Sequence, residues 1–180
     1  MAALAIIPYS LITQGVYSTV VRAISTITFG TCNLVKSIYV HKNPNITKLI
    51  KQLDIERRLK LINAILNTSS MNNVKNDEYI KLKLNDLEKT QIFEIVGSKV
   101  DLENDPIQLC LFYLYDIVQE INNNLLDINN KITYHNTKWF NTWRTLNINS
   151  LIENLKINSQ ILDSRFDDLT RVSLFLSKKC

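Results

Sequence analysis

The sequence has 180 residues, a formal net charge of +4, and only three glycines and three prolines. This length is sufficient for one domain with its own apolar core, and we predict a single domain over residues 1–180. Short strands joined by tight hairpins depend on Gly and Pro, so their scarcity favours long helices with few turns. We therefore predict an all-α fold, a helical bundle of four long helices plus one shorter helix.

The charge is distributed unevenly along the chain. No acidic residue precedes Asp54, so the first third of the chain carries +5 and the remainder is close to neutral. The basic residues of this first third are Arg22, Lys36, Lys42, Lys48 and Lys51. A basic and apolar segment of this kind predicts an anionic surface as its partner, most simply lipid headgroups. Nucleic acid is a weaker expectation, because nucleic-acid-binding proteins usually concentrate more Lys and Arg than this.

The three cysteines, Cys32, Cys110 and Cys180, are odd in number and lie far apart. They do not resemble a disulfide framework or a metal-binding Cys pair. This pattern predicts a reducing, intracellular compartment.

The first predicted helix spans residues 7–42, between an early Pro8 and the helix-breaking Pro44. Apolar residues recur along it at alternating spacings of four and three, which is typical of one helix face. They are Val16, Val20, Ile24, Ile27, Leu34 and Ile38, and Thr31 occupies one further position of the repeat. We predict that residues 1–44 act as a semi-independent membrane or interaction segment. Its binding surface would consist of Val20, Ile24, Ile27, Lys36, Lys42, Lys48 and Lys51.

Three alternatives remain open for this first helix. Residues 16–35 contain a single charge, Arg22, and are long enough to span a bilayer. The repeated Ser and Thr instead favour a helix that is buried in the bundle or lies on a membrane. A cleaved signal peptide fits poorly, because no basic residue precedes the apolar start.

The middle of the chain is less regular. Asn45 is a good N-cap for a second helix over residues 45–66, which is followed by a polar loop over residues 67–76. Residues 78–99 alternate like a strand at first and then follow a helical repeat. Because no partner strand is visible in the sequence, we predict a short helix ending near Gly97.

The clearest pattern begins at Asp105-Pro106, a cap residue followed by a first-turn proline. A four-three repeat of apolar residues then continues to Ile132, in phase with Trp139 and Trp143. A last helix over residues 149–176 carries a similar repeat. Two consecutive helices with matching seams and a short turn predict an antiparallel hairpin, with packing like that of a coiled coil.

A search for catalytic and ligand-binding motifs predicts no enzyme activity. The sequence has no Gly-rich phosphate loop, and its two histidines, His41 and His135, have no Cys or carboxylate at metal-ligand spacing. We therefore expect no metal, no cofactor and no small-molecule substrate.

An aromatic and basic segment at residues 134–144 is the most distinctive in the chain. Its members are Tyr134, Trp139, Phe140, Trp143 and Arg144. Such a patch docks at a membrane interface or in a partner's groove. Alternatively, the two tryptophans are in phase with the seam and close the end of the bundle, and the spacing favours this alternative.

The stretch Tyr134–Arg144 (YHNTKWFNTWR), followed by residues 161–169 (ILDSRFDDL), resembles small helical proteins of large DNA viruses of the mimivirus type. The resemblance covers roughly residues 105–176. The frequent use of Asn, Ile and Lys agrees with an AT-rich viral genome. Those proteins are uncharacterised, so the resemblance implies a helical viral protein and no particular activity.

Three functions are compatible with these patterns. The first is a non-enzymatic bundle peripheral to a membrane, a viral structural or factory component linking lipid to protein. The second is a soluble adaptor that binds another protein or a second copy of itself. The third is a membrane-permeabilising bundle. The exposure of Val20, Ile24 and Ile27 in the folded protein discriminates between an interaction surface and a core.

Overall fold

A computed structural model describes residues 15–40, 44–68, 106–138 and 146–177, and every regular element in these ranges is an α-helix. The helices are α1 (Gly15–Val40), α2 (Pro44–Leu53), α3 (Ile55–Thr68), α4 (Pro106–Asn136) and α5 (Asn149–Ser177). The predicted all-α bundle is confirmed. Residues 78–99, predicted as a short helix, lie outside the described residues.

The second predicted helix is not continuous, because the chain turns at Asp54 and divides it into α2 and α3. Asp54 has a φ of 52°, a left-handed conformation that ends a helix. Its N–H donates to the Lys51 carbonyl at 3.1 Å, and its own carbonyl accepts the N–H of Arg58 at 3.1 Å. Asp54 therefore closes one helix and opens the next. The 45–66 prediction missed this break because the residue that adopts the left-handed conformation is not a glycine.

Helix α4 begins at Pro106, as predicted, and its apolar seam is entirely buried. The predicted members are Ile107, Leu111, Leu114, Val118, Ile121, Leu125, Ile128 and Ile132. The helix ends at Asn136, before the tryptophans that continue its phase. At this end, Thr137 Oγ1 donates to the Tyr134 carbonyl at 2.8 Å and the N–H of Lys138 donates to the His135 carbonyl at 3.2 Å. These shorter-range bonds tighten and close the last turn.

Helices α4 and α5 form the predicted antiparallel hairpin. The Arg165 guanidinium on α5 lies 4.7 Å from the ring centroid of Tyr113, near the beginning of α4. At the opposite end of the hairpin, Tyr134 of α4 and Leu146, just before α5, lie on either side of one pocket, so the two helices are also close together there. The α5 seam is buried at Leu155, Leu162 and Leu169.

Helix α1 packs along α4 in the same direction. Thr31 Oγ1 donates to Asn122 Oδ1 at 3.1 Å, and Ser37 Oγ donates to Asn129 Oδ1 at 3.2 Å. The residue numbers increase together along both helices, so the two helices are parallel. The α1–α4 and α4–α5 interfaces are the most extensive between helices in the described part of the chain.

Helix α3 returns antiparallel to α1 and completes the bundle by reaching α5. Lys51, at the end of α2, lies 5.5 Å over the ring of Tyr39 at the end of α1, so the chain doubles back there. From α3, Arg58 donates to the Ser159 carbonyl at 3.2 Å and pairs with Asp163 on α5. The helices therefore form a ring in the order α1, α3, α5 and α4.

Apolar side chains from all five helices fill the space between them. Ile24 and Ile38 of α1, Leu59 of α3 and Ile121 of α4 are all 0% exposed. No helix in the described ranges has both the length and the apolar character needed to cross a bilayer.

Truncation of Ile24 tests whether α1 is part of this core. Ile24→Ala should lower the free energy of unfolding by about 2–5 kcal/mol, because it leaves a cavity beside α4 and α3. The control is Phe29→Ala on the same helix, where the side chain is 70% exposed and the change should stay within about 0.5 kcal/mol. Urea denaturation measures both values. Equal small losses would contradict the burial of α1.

Candidate partner-binding surface

The apolar stripe of α1, expected to form an exposed surface, lies in the core. Val20 is 7% exposed and Ile24 is 0% exposed. Ile27 is partly buried and packs against the same core. The assignment of these three residues to a membrane or partner surface is therefore corrected. The stripe is covered because α3 and α4 supply apolar seams that bury it more completely than a surface contact would.

The basic residues of the first third do not gather around that stripe. Lys36 on α1 and Lys48 on α2 are exposed. Lys51 is also exposed and lies over the Tyr39 ring. Lys42 lies outside the described residues. These three lysines therefore face solvent, separate from the apolar stripe with which they were grouped, and the fourth described cation of the first third, Arg22, is half-buried.

Only one member of the predicted aromatic patch falls within the described residues. Tyr134 is 64% exposed, and the Lys138 ammonium lies 4.4 Å from its ring centroid. Trp139, Phe140, Trp143 and Arg144 lie outside the described residues. The prediction that the tryptophans close the end of the bundle therefore stays a prediction.

The outer face of α1 carries a second apolar and basic pattern. Phe29 is 70% exposed and Val40 is 76% exposed. The half-buried Arg22 and the exposed Lys36 each lie seven residues from Phe29, which places all three on the same side of the helix. This side faces away from α4 and the core.

A cleft with a volume of about 350 Å³ opens between α4 and α5. We call it the α4–α5 cleft. It is lined by Glu120, Asn123, Asn124, Asn154, Ile157 and Asn158. Its volume lies at the lower end of the range for ligand sites, about 300–1,000 Å³. Among these lining residues, the amides give both donors and acceptors, and the single charge is negative.

Asn158 is the most deeply placed polar group of this cleft. The residue is only 8% exposed, and its side chain forms no hydrogen bond to any described residue. Its amide atoms are not among the fully buried side-chain atoms that lack a hydrogen-bond partner, so they still reach the solvent in the cleft. The amide of Asn158 is therefore accessible to a ligand that enters the cleft.

Three carboxylates continue the polar character of the cleft along the outside of α4. Asp116, Glu120 and Asp127 share one side of the helix and span about 16 Å along its axis. None of them forms an ion pair within the described residues. Burial raises the pKa of the Asp116 carboxyl, and the charge of Glu120 raises it further. No described cation therefore lies within ion-pair distance of these groups, and the nearest one along α4 is Lys131, one turn after Asp127.

An exposed isoleucine of α5, Ile157, lines the cleft, and a second one, Ile161, follows it one turn later on the helix. Ile157 is 47% exposed and Ile161, one turn further along, is 37% exposed. Sequence reasoning missed this site because Asn is common throughout the chain, in keeping with a biased composition. The positions of two asparagines could have indicated the site. Asn154 and Asn158 are one turn apart and lie beside the α5 seam, where a soluble helix more often places charged side chains.

Comparison with known proteins adds a viral relationship. The chain is 46% identical over 176 residues to an uncharacterised protein of Acanthamoeba polyphaga mimivirus, covering 98% of this chain and 85% of that protein. The chain belongs to this viral protein family. The resemblance to mimivirus-type proteins is confirmed and extends well beyond residues 105–176. No protein-family profile and no solved structure matches the chain.

In this viral protein, Asp116 should oppose folding when it is charged. Its raised pKa means that the folded state binds a proton more tightly than the unfolded chain does, so stability falls as the pH rises through this pKa. Asp116→Asn should therefore raise the thermal midpoint at neutral pH. The gain should disappear below the ordinary pKa of aspartate, where both states of the wild type are protonated.

Thermal unfolding followed by circular dichroism at neutral and acidic pH measures this effect. Asp167→Asn is the control, since it removes an exposed carboxylate of α5 away from Glu120. A gain for Asp116→Asn of equal size at both pH values would show that the charge of Asp116 is not its cause.

Proposed function

We propose that this protein is a non-enzymatic viral interaction bundle that binds segments of another protein at the α4–α5 cleft. The observation that carries the proposal is the cleft itself, in which the Asn158 amide, without a hydrogen-bond partner among the described residues, lies beside the exposed Ile157. Exposed apolar side chains next to unsatisfied polar groups are the usual composition of a protein-binding site. The family is viral, and a structural or factory component that assembles with other proteins fits this reading.

The charge of the surface favours a different protein over a second copy. A twofold dimer through this face would bring the same surface of two copies together. Asp116, Glu120 and Asp127 would then approach their own counterparts, and like charges at an interface are costly. The chain alone is therefore expected to be monomeric, with the α4–α5 cleft open to a partner.

Selection from a random peptide display library tests the proposal. The wild-type chain should enrich specific sequences, and Ile157→Ser/Ile161→Ser should weaken their binding about tenfold or more, because both apolar contacts are lost. The matched control is Leu61→Ser/Leu174→Ser, which removes two exposed apolar side chains on other surfaces. Light scattering on the free chain checks that it is monomeric.

Two outcomes contradict the proposal. One is a library that yields no binder. The other is a set of binders that Ile157→Ser/Ile161→Ser and the control affect equally. If the chain forms a stable dimer and Ile157→Ser/Ile161→Ser dissociates it, the partner at the cleft is a second copy of this chain and not a different protein.

A second candidate function is contact with an anionic membrane through the outer face of α1. It is favoured by exposed Phe29 and Val40 beside Arg22 and Lys36. For this second function, the apolar stripe of α1 stays in the core, and the membrane contacts the opposite side of α1. Each cation near an anionic surface contributes about 1 kcal/mol, and apolar side chains add to this by insertion.

Flotation with anionic vesicles at low salt tests this contact. The wild-type chain should float with the vesicles, whereas Phe29→Ser/Val40→Ser should remain largely in the soluble fraction. Leu61→Ser on α3 is the control and should float like the wild type. A wild-type chain that does not float, or that floats equally with uncharged vesicles, would rule out this function.

A further inference from the structure

The chemistry of the α4–α5 cleft also indicates what kind of segment it accepts. Of the described residues that line it, none is basic, and Glu120 is joined on the outside of α4 by Asp116 and Asp127. A phosphate or an acidic peptide would meet the negative charge of Glu120 there. A positively charged ligand would instead supply the ion-pair partners that the described part of the bundle does not.

The amides of the cleft are spaced to suit an extended backbone. Asn154 and Asn158 are four residues apart on α5, so they lie about 6 Å apart along the helix axis. An extended chain repeats every two residues, which is about 6.6 Å. An Asn side chain both donates and accepts, as a peptide unit does, so two amides one turn apart can bond to alternate residues of such a chain.

The size of the cleft suits a short extended segment better than a helix. A helix with its side chains is about 10–12 Å wide, whereas a volume of about 350 Å³ matches a short run of extended chain. The nearly buried amide of Asn158 would meet the backbone at the bottom of the cleft. The exposed Ile157 and Ile161 would contact apolar portions of the segment at its edge.

We infer that the α4–α5 cleft binds an extended basic segment of a partner protein. The Asn amides bond to its backbone, and Glu120, Asp116 and Asp127 pair with its Lys or Arg side chains. This inference rests on the proposed function and specifies its partner. The inference and the proposed function can be tested separately. A cleft that binds apolar or acidic segments would agree with the proposed function and contradict the inference.

Fluorescence anisotropy with labelled synthetic peptides tests the inference on the full chain. The probes are a peptide of alternating Arg and Ser, the same peptide with Glu for Arg, and the Arg peptide with N-methylated backbone amides. The Arg peptide should bind, and its affinity should fall with added salt. The Glu peptide should not bind. N-methylation should weaken binding about tenfold, because it removes backbone donors while keeping the charge.

Two single variants separate the two kinds of contact. Asn158→Ala should weaken the Arg peptide about tenfold and leave its salt dependence unchanged. Glu120→Gln should weaken it similarly and make the salt dependence shallower, because one ion pair is lost. The matched controls are Asn33→Ala, an exposed amide on α1, and Asp167→Asn, an exposed carboxylate on α5. Both should bind like the wild type. Circular dichroism confirms that each variant is folded.

The outcomes that overturn the inference are distinct from those that overturn the proposed function. Equal binding of the Arg and Glu peptides refutes the charge preference. Equal binding of the Arg peptide and its N-methylated form refutes backbone recognition and leaves only attraction between charges. If the display library yields binders that are not basic, the inference fails and the proposed function stands. If neither the library nor the synthetic peptides bind, both fail.

Discussion

The fold depends on the parallel packing of α1 along α4. This contact buries the apolar stripe of α1, which is the most hydrophobic helix in the described part of the chain. Burial of apolar surface is the main favourable term in folding, and side chains such as Ile24 and Ile38 contribute most when water is excluded from them completely. The hydrogen bonds from Thr31 to Asn122 and from Ser37 to Asn129 then define how the two helices align. Apolar seams alone tolerate sliding by a turn, whereas specific polar pairs do not.

The rest of the bundle follows from this pair. Helix α5 covers the second side of α4 as the other arm of a hairpin, and α3 covers the second side of α1. Arg58 joins these two outer helices, because it reaches both the Ser159 carbonyl and the Asp163 carboxylate. The side chain of Arg58 is partly exposed, so this contact closes the ring of helices without the cost of a buried charge.

The same arrangement determines which surfaces are free for a partner. With α1 committed to the core, the apolar residues available for binding are those on the outer sides of the helices. The α4–α5 cleft differs from the other described surfaces because it combines exposed isoleucines with amides and carboxylates that the described helices leave unpaired. Asp116 reduces stability in the isolated chain, as its raised pKa indicates. Proteins commonly retain such groups where a ligand compensates for them.

The sequence alone was sufficient to predict the fold class, the seams of α4 and α5, and their antiparallel hairpin. These features depend on helical periodicity and on short connections, which are local properties of the chain. It could not show which element covers a given apolar face. The stripe of Val20, Ile24 and Ile27 has the same pattern whether it meets lipid or another helix, and only the packing of α3 and α4 against it decides between them. The break at Asp54 is made by local bonds, to the Lys51 carbonyl and from the Arg58 N–H, but the apolar pattern of the sequence does not mark which residue adopts the left-handed conformation. The α4–α5 cleft joins residues of α4 to residues of α5 that are thirty or more positions away, so no local pattern contains it.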